Sequence, residues 1–380
     1  MYVPRGGHVP EDLDKLVRRP MTRRSFIGSA ARAAVAAGIF GAGNWMWAGC
    51  GTSSGGRSSG QKELVIASWG GAYQEAQRKA FFDPFTKETG IKIIEAGPTD
   101  NAKIAAMVES GNVEWDLVDN DMGGILELKK KDFLEPIPYD AIPQDVLDQF
   151  EDSDKDPYGF AIMWFSTCIA YRTDAFGGDY PKDWAEFWDV ERFPGPRSLQ
   201  YASNLEQALA ADGVPIDQIY PIDIDRAFKK FDEIREHVVK WWETGAVPAQ
   251  MLSDNEIVLA SAYNGRIGAI KEQGAPVDVN FNQGLLIGEY WMIPKGTEKL
   301  DLIKEFLAFA AQAEQHVELS KHILYGPANK KAYEQIPPER AAQLPTSPEN
   351  RARQIIFNAE WHGEHNEEVR ERFTSWLLGG

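Results

Sequence analysis

The stretch that most constrains what this chain can fold into is Leu64 to Ile94, LVIASWGGAYQEAQRKAFFDPFTKETGIKII. It opens on an apolar run, Leu64 to Ala67, breaks at Ser68-Trp69-Gly70-Gly71, takes up a helical period and ends on a second apolar run, Ile91 to Ile94. Ala76, Ala80, Phe81 and Phe85 recur at three- and four-residue spacing, which predicts a helix with one core-facing stripe. Gly90 can take the left-handed conformation that closes such a helix. Strand, loop, helix, strand is the unit of an α/β sheet, and in open sheets small ligands bind beyond the carboxyl ends of the strands. The two glycines let the backbone turn sharply and approach a neighbour closely. Trp69 beside them offers a large flat apolar face. Spacing alone leaves Trp69 open between that role and an ordinary place in the core.

The front of the chain carries another signal. Thr22-Arg23-Arg24-Ser25-Phe26-Ile27 matches the twin-arginine export pattern and is followed by an Ala/Gly-rich stretch to Ala48. Arg32 interrupts that stretch, whereas a permanent membrane span wants about 20 apolar residues without charge. Residues 1–49 are therefore expected to be a targeting segment, outside the fold. Trp47-Ala48-Gly49-Cys50 resembles a bacterial lipoprotein signal, with Cys50 as the lipidated residue and membrane anchor. The Gly/Ser-rich residues 50–61 would then be a flexible tether. With Cys50 lipidated, only Cys168 remains, so no intramolecular disulfide can form. Cys168 lies in an apolar run and reads as a small buried hydrophobe.

With 380 residues, 43% hydrophobic and 26% charged, the chain has a globular composition and the length for two domains. Its formal charge of -17 argues against nucleic acid, because phosphate binding needs a basic face. Without residues 1–49, which carry seven basic and three acidic side chains, the remainder stands near -21. Such a surface mildly attracts cations, and equally fits a solvated acidic shell with no bearing on ligand choice.

Further along, Asn101 to Ser110 reads as a helix and Trp115 to Val118 as a short strand stopping at Asp119-Asn120-Asp121, with Met122 to Lys131 helical again. The run GFAIMWFSTCIAYR, ending at Arg172, is too short for a bilayer and predicts a strand buried in protein. Helices are expected at Trp184 to Trp188, Ser203 to Asp212 and Ile224 to Trp242; Phe228, Phe231, Ile234, Val238 and Trp241 fall on one face of the last. Short strands are expected at Ile257 to Ala260, Ile267 to Ile270, Val277 to Phe281 and Trp291 to Ile293, with Tyr263-Asn264-Gly265-Arg266 as a loop between two of them. Helices follow over Leu300 to Ala311 and Gln312 to Lys321, and a last amphipathic one over Val369 to Leu378. No period of 20 to 50 residues repeats. The alternation predicts two α/β lobes.

Strand, SWGGAY, helix and FTKETGIKI, in that order, resemble the amino-terminal unit of the extracellular solute-binding proteins of ABC importers, in particular the spermidine/putrescine-type branch. The likeness runs in motif order over most of Leu64 to Leu378, through WDLVDND, GGILELKKKDFLEPI, Phe193-Pro194-Gly195 and Tyr325-Gly326-Pro327-Ala328-Asn329. It implies an α/β, two-lobed periplasmic-binding-protein fold of type II with the ligand cleft between the lobes. By the same likeness the first lobe takes residues 62–165 and 288–333, the second takes 166–287 and 334–380, and one hinge segment lies near Phe160 to Tyr171. The implied partners are a small solute, polyamine or other small amine, and an ABC permease, met in the periplasm or outside the cytoplasm.

Catalytic signatures are missing: there is no G-x-S-x-G, H-E-x-x-H, P-loop or G-x-G-x-x-G. No enzyme activity, cofactor or metal is expected. His362-Gly363-Glu364-His365 could in principle pair on a metal, but lacks nearby further ligands and also fits solvated residues at a helix start. What remains is aromatics and carboxylates at predicted loop edges, the chemistry that holds an organic ammonium. The candidates are Trp69, Asp121, Tyr263, Glu289, Tyr325 and His362. Glu289 stands, counting back from Ile293-Pro294, at the position where polyamine binders hold an amine; a surface carboxylate at a strand start is its plain alternative. Asp121 fits either a ligand contact or the cap of the next helix.

The chain departs from the polyamine pattern in the second lobe, where that branch carries two carboxylates three residues apart. Gln200 and Ser203 stand at those places, and Glu206 is acidic only if the register slips. Because a buried unpaired charge is costly, one clear acid fits a monoamine or zwitterion as well as putrescine or spermidine. Arg266 is the one basic residue beside the expected cleft, so a carboxylate-bearing ligand is an alternative, as is a metal or anion. A hydrolase or transferase on a similar scaffold is the remote alternative.

Overall fold

The computed structural model describes residues 62–379. The expected targeting segment, the tether and Cys50 lie outside the described residues. The first unit forms as its pattern predicts: strand β1 (Glu63–Ala67), helix α1 (Gly71–Gln77), a π-helical turn over Arg78–Phe82, helix α2 (Asp83–Thr89) and strand β2 (Lys92–Ala96). Gly90 closes α2 in the left-handed conformation. Ala76, Ala80, Phe81 and Phe85 are all buried, and β1 pairs in parallel with β2.

After α3 (Asn101–Ser110), strand β3 runs over Leu117–Asp121 and leads straight into α4 (Met122–Lys130). Asp119-Asn120-Asp121 are therefore the last three residues of the strand and not a turn beyond it. Then come β4 (Gly159–Arg172), α5 (Trp184–Trp188), β5 (Arg197–Gln200), α6 (Leu205–Ala211) and α7 (Ile224–Ile234). The expected single helix from Ile224 to Trp242 stops at Ile234, and Val238–Trp242 is strand β6, parallel to β5. Its sequence, VVKWW, is β-branched and aromatic, which suits a pleated surface better than a helix.

Helix α8 (Ala246–Ser253), strand β7 (Leu259–Tyr263) and helix α9 (Asn264–Glu272) follow. The expected strand over Ile267 to Ile270 is thus helical, and Asn264-Gly265-Arg266 is the first turn of α9, not a loop. A short apolar run does not distinguish the two states. The two strands expected over Val277 to Ile293 are one, β8 (Val277–Pro294). Helices α10 (Leu300–Ala310), α11 (Ala313–His322) and α12 (Ala359–Leu377) complete the framework, the last beginning ten residues before the expected Val369.

Among the described residues twelve strands form one connected sheet whose main path is β2-β1-β3-β8-β4-β7-β5-β6. The β2-β1-β3 and β7-β5-β6 ends are parallel, and the β3-β8, β8-β4 and β4-β7 pairings between them are antiparallel. Each end has its own core. One gathers Leu64 to Phe165 with Leu286 to Ala328; the other gathers Ile169 to Leu259 with Leu285 and Ile355 to Trp376. The long strands β4 and β8 contribute to both, with the handover at Ser166–Cys168 on one and Leu285–Leu286 on the other. The β8–β4 register shifts between Asn280 and Leu285, beside that handover. Cys168 is fully buried, as its apolar neighbours predict.

Candidate ligand-binding site

The site starts from strand register. Glu289 on β8 lies opposite Asp121 on β3, and Trp291 lies opposite Asp119. Residues directly opposite one another in an antiparallel pair share a face, with Cβ atoms about 4.5–5.5 Å apart. Asp119, Asp121 and Glu289 therefore project from one face. Asp119 and Glu289 are buried, and Asp121 is half-buried. None of the three forms an ion pair among the described residues.

The loop after β1 closes over this acidic floor. Gly70 and Gly71 both take positive φ, which lets the loop turn directly into α1. Trp69 Nε1 donates to Glu289 Oε2 at 3.1 Å, while Ser68 Oγ and Gln77 Nε2 donate to Asp119 Oδ2 at 3.0 and 2.7 Å. Asp121 Oδ1 accepts from Gly124 N at 2.8 Å and caps α4. Burial and the facing charge of Asp119 hold the Glu289 carboxyl well above the usual carboxylate range. Burial also raises Asp121, against the pull of the amides of Gly124 and Gly123.

Tyrosines wall the site. Tyr73 and Tyr325 meet edge to face at 5.6 Å, Phe165 lies 6.0 Å from Tyr325 and 5.1 Å from Tyr263, and Tyr263 packs on Trp242 at 5.3 Å. Gln200 Nε2 donates to Tyr263 Oη at 3.1 Å. Burial, then the charges of Asp121 and Glu289, push the Tyr263 phenol up to about 12, against Gln200 and Arg266. Burial raises the Tyr325 phenol as well, with Glu289 and Asp119 adding to the rise and Arg266 opposing it. Arg266 is half-buried on the first turn of α9, has no ion-pair partner among the described residues, and lines a cavity of about 190 Å³ with Tyr73, Ala246, Gly265 and Tyr325. A β-carbon on Gly71 would stand 3.5 Å from Arg266 Nη1, so the glycine loop and the guanidinium are close neighbours.

Trp69, Asp121, Tyr263, Glu289 and Tyr325 thus converge. His362 sits differently. It is buried in α12, which packs against α4, and its Nε2 lies 2.6 Å from Glu206 Oε1 while its ring stacks on Phe357 at 4.6 Å. Tyr220 Oη also donates to Glu206 Oε1, at 2.6 Å. Glu206, the acid in doubt from sequence, is therefore engaged by His362 and Tyr220. His362 belongs to this buried pair instead of a solvated helix start. Asp119, Tyr73, Gln77 and Phe165 were not singled out by sequence reasoning; strand alternation through Asp119 and Asp121 was the signal that could have found the first. Among the described residues no group of three or more His, Cys, Asp or Glu is arranged to hold a metal ion.

Residues 80–346 match the family model for bacterial extracellular solute-binding proteins. The chain belongs to that family. This solute-binding protein is 34% identical over 327 residues to the gamma-aminobutyric acid-binding protein of Pseudomonas aeruginosa, covering 83% of this chain and 91% of that one. It is 23% identical to the spermidine/putrescine-binding periplasmic protein of Escherichia coli, covering 74% and 82%. The crystal structure of an ABC transporter substrate-binding protein from Bradyrhizobium japonicum superposes with a TM-score of 0.79 at 38% identity, over 83% of this chain and 99% of that one. The fold is the two-lobed α/β fold of periplasmic binding proteins, and the chain is the substrate-binding component of an ABC transporter, not an enzyme.

Proposed function

We propose that the solute is a small zwitterion of the ω-amino acid class, such as γ-aminobutyrate, captured in the cleft for import by an ABC permease. Its ammonium lies against Glu289 and Trp69, Tyr73, Tyr263 and Tyr325 enclose its alkyl chain, and its carboxylate meets Arg266. The observation that carries this reading is that the carboxylates of Asp119, Asp121 and Glu289 on one side, and Arg266 in the cavity it lines with Tyr73 and Tyr325 on the other, have no ion-pair partner among the described residues. An arginine fork suits a carboxylate, and tyrosine faces and a carboxylate suit an ammonium. The relative named for gamma-aminobutyric acid supports it. A polyamine fits less well, because its second amine would meet Gln200 while Glu206 is taken by His362.

The lobes are 62–165 with 288–333 and 166–287 with 334–380, and they close by bending of β4 and β8 near the handover between the two cores. The protein works in the periplasm, reached by twin-arginine export and held to the membrane by a lipid on Cys50. The cleft assignment is tested by thermal unfolding of the purified protein against γ-aminobutyrate, 1-aminobutane, butyrate, putrescine and spermidine. At a hundredfold excess over Kd a true ligand adds about 2.7 kcal/mol of stability. The zwitterion is expected to do so at the lowest concentration, with 1-aminobutane binding more weakly; a shift with putrescine and none with γ-aminobutyrate refutes the reading. Glu289→Gln should weaken binding of the true ligand by about 2–5 kcal/mol, read by calorimetry.

A further inference from the structure

The acidic floor holds more carboxylate than one ammonium needs. Asp119 Oδ2 accepts from Ser68 Oγ and Gln77 Nε2, while Asp119 Oδ1 and the hydroxyl of the neighbouring Tyr73 are both buried without a hydrogen-bond partner among the described residues, and one phenol cannot neutralise two facing carboxylates. Glu289 projects from the same face one strand away, also buried, with the Trp69 indole as its donor. Two buried carboxylates this close cannot both stay charged without a cation between or beside them. A proton on Glu289 would satisfy the orphaned Asp119 Oδ1 and remove the repulsion in one step. We propose that Asp119 is the residue that sets the charge of this site: in the empty protein it shares one proton with Glu289, and the arriving ammonium group displaces that proton to solvent.

The step balances as R–NH₃⁺ joining a Glu289 carboxylic acid hydrogen-bonded to the Asp119 carboxylate, and leaving R–NH₃⁺ against two carboxylates plus one H⁺ in solvent. The proton rests on Glu289 because Asp119 already accepts two hydrogen bonds in its charged form, whereas Glu289 accepts one. Burial, then Asp119, holds the Glu289 carboxyl well above the usual range. The other groups facing the pair agree with this. From β3, Asp121 adds further negative charge; from α1, from the turn before Gly326 and from the end of β7 come the phenols of Tyr73, Tyr325 and Tyr263, all raised and neutral at pH 7. Arg266 acts on the last two phenols, and His362 on Asp121. Below the raised value of the Glu289 carboxyl, affinity should climb with pH by up to tenfold per unit, because one proton leaves per solute bound.

This rests on the ammonium reading of the cleft, and two measurements on the full chain separate them. Infrared spectroscopy of the ligand-free protein at pH 7 should show a protonated carboxyl band that vanishes in Glu289→Gln and shrinks in Asp119→Asn. No such band, or one that survives Glu289→Gln, overturns the shared proton whatever the protein binds. Calorimetry of γ-aminobutyrate in buffers of different ionisation enthalpy should then report release approaching one proton at pH 7. In Asp119→Asn, which keeps an oxygen for Ser68 and Gln77 but loses the charge, release should fall toward zero. Tight binding with no proton released in the wild type overturns the displacement and leaves the solute reading standing. Unchanged release in Asp119→Asn reduces Asp119 to a structural role. If neither γ-aminobutyrate nor any amine binds, the solute reading fails and the displacement with it, while the infrared result still decides who holds the proton.

Discussion

Glu206 and His362 show how one residue pair can be read for stability. Burial alone would discharge His362, but the charge and hydrogen bond of Glu206 outweigh it and raise the imidazole above its usual value. Burial likewise works against a charged Glu206, and His362 more than offsets it, so the net shift is downward. A raised histidine stabilises the fold below its ordinary value of about 6.5, and that contribution is lost as pH rises through the raised one. A lowered glutamate stabilises above its ordinary value of about 4.3, and loses that contribution as pH falls through the lowered one. The pair therefore contributes most between these limits. Glu206→Gln is expected to cost about 3–5 kcal/mol in urea unfolding at pH 6, because it strands a buried imidazolium. The cost should shrink as pH passes the raised histidine value; a cost that grows with pH would contradict the pairing. At this scale Glu289, Trp69 and Tyr325 were legible from motif order, but Asp119 was not. Ending the strand at Val118 left Asp119 and Asp121 in a turn, where the alternation that puts them on one face does not apply.

Among the elements, α9 carries the site by how closely it lies to the turn before Gly326. A β-carbon on Gly265 would run into the Tyr325 ring, and one on Gly268 would run into Leu324. These glycines lie three residues apart, on one face of α9. Asn264 ties the same corner together: its Oδ1 accepts from Ser166 N on β4 at 2.9 Å, and its Nδ2 donates to Leu324 O. Gly265→Ala is thus expected to displace Tyr325, to cost about 1–3 kcal/mol of stability by overpacking, and to weaken solute binding. Calorimetry and urea unfolding on the same sample check it; unchanged affinity would remove Tyr325 from the site. Sequence reasoning placed Tyr263 to Arg266 beside the ligand but in a loop, because four apolar or small residues after Arg266 read as well for strand as for helix. The longer patterns, α3, β4 and α11, were legible to within three residues at each end.

For the whole molecule, two cores share one sheet, and the long antiparallel strands β4 and β8 run from one core into the other. The likeness to solute binders conveyed this arrangement before the strand lengths were known. What it could not convey was the balance of charge in the cleft. The excess of acid over base along the chain describes its surface, whereas the site depends on a few buried groups whose facing partners are set by register. The measurement that tests the account most directly is the affinity of γ-aminobutyrate and of 1-aminobutane for the wild type and for Arg266→Gln. The account predicts at least a tenfold loss for the zwitterion, about 1.4 kcal/mol, with little change for the plain amine. An Arg266→Gln protein that binds γ-aminobutyrate as tightly as the wild type would contradict it.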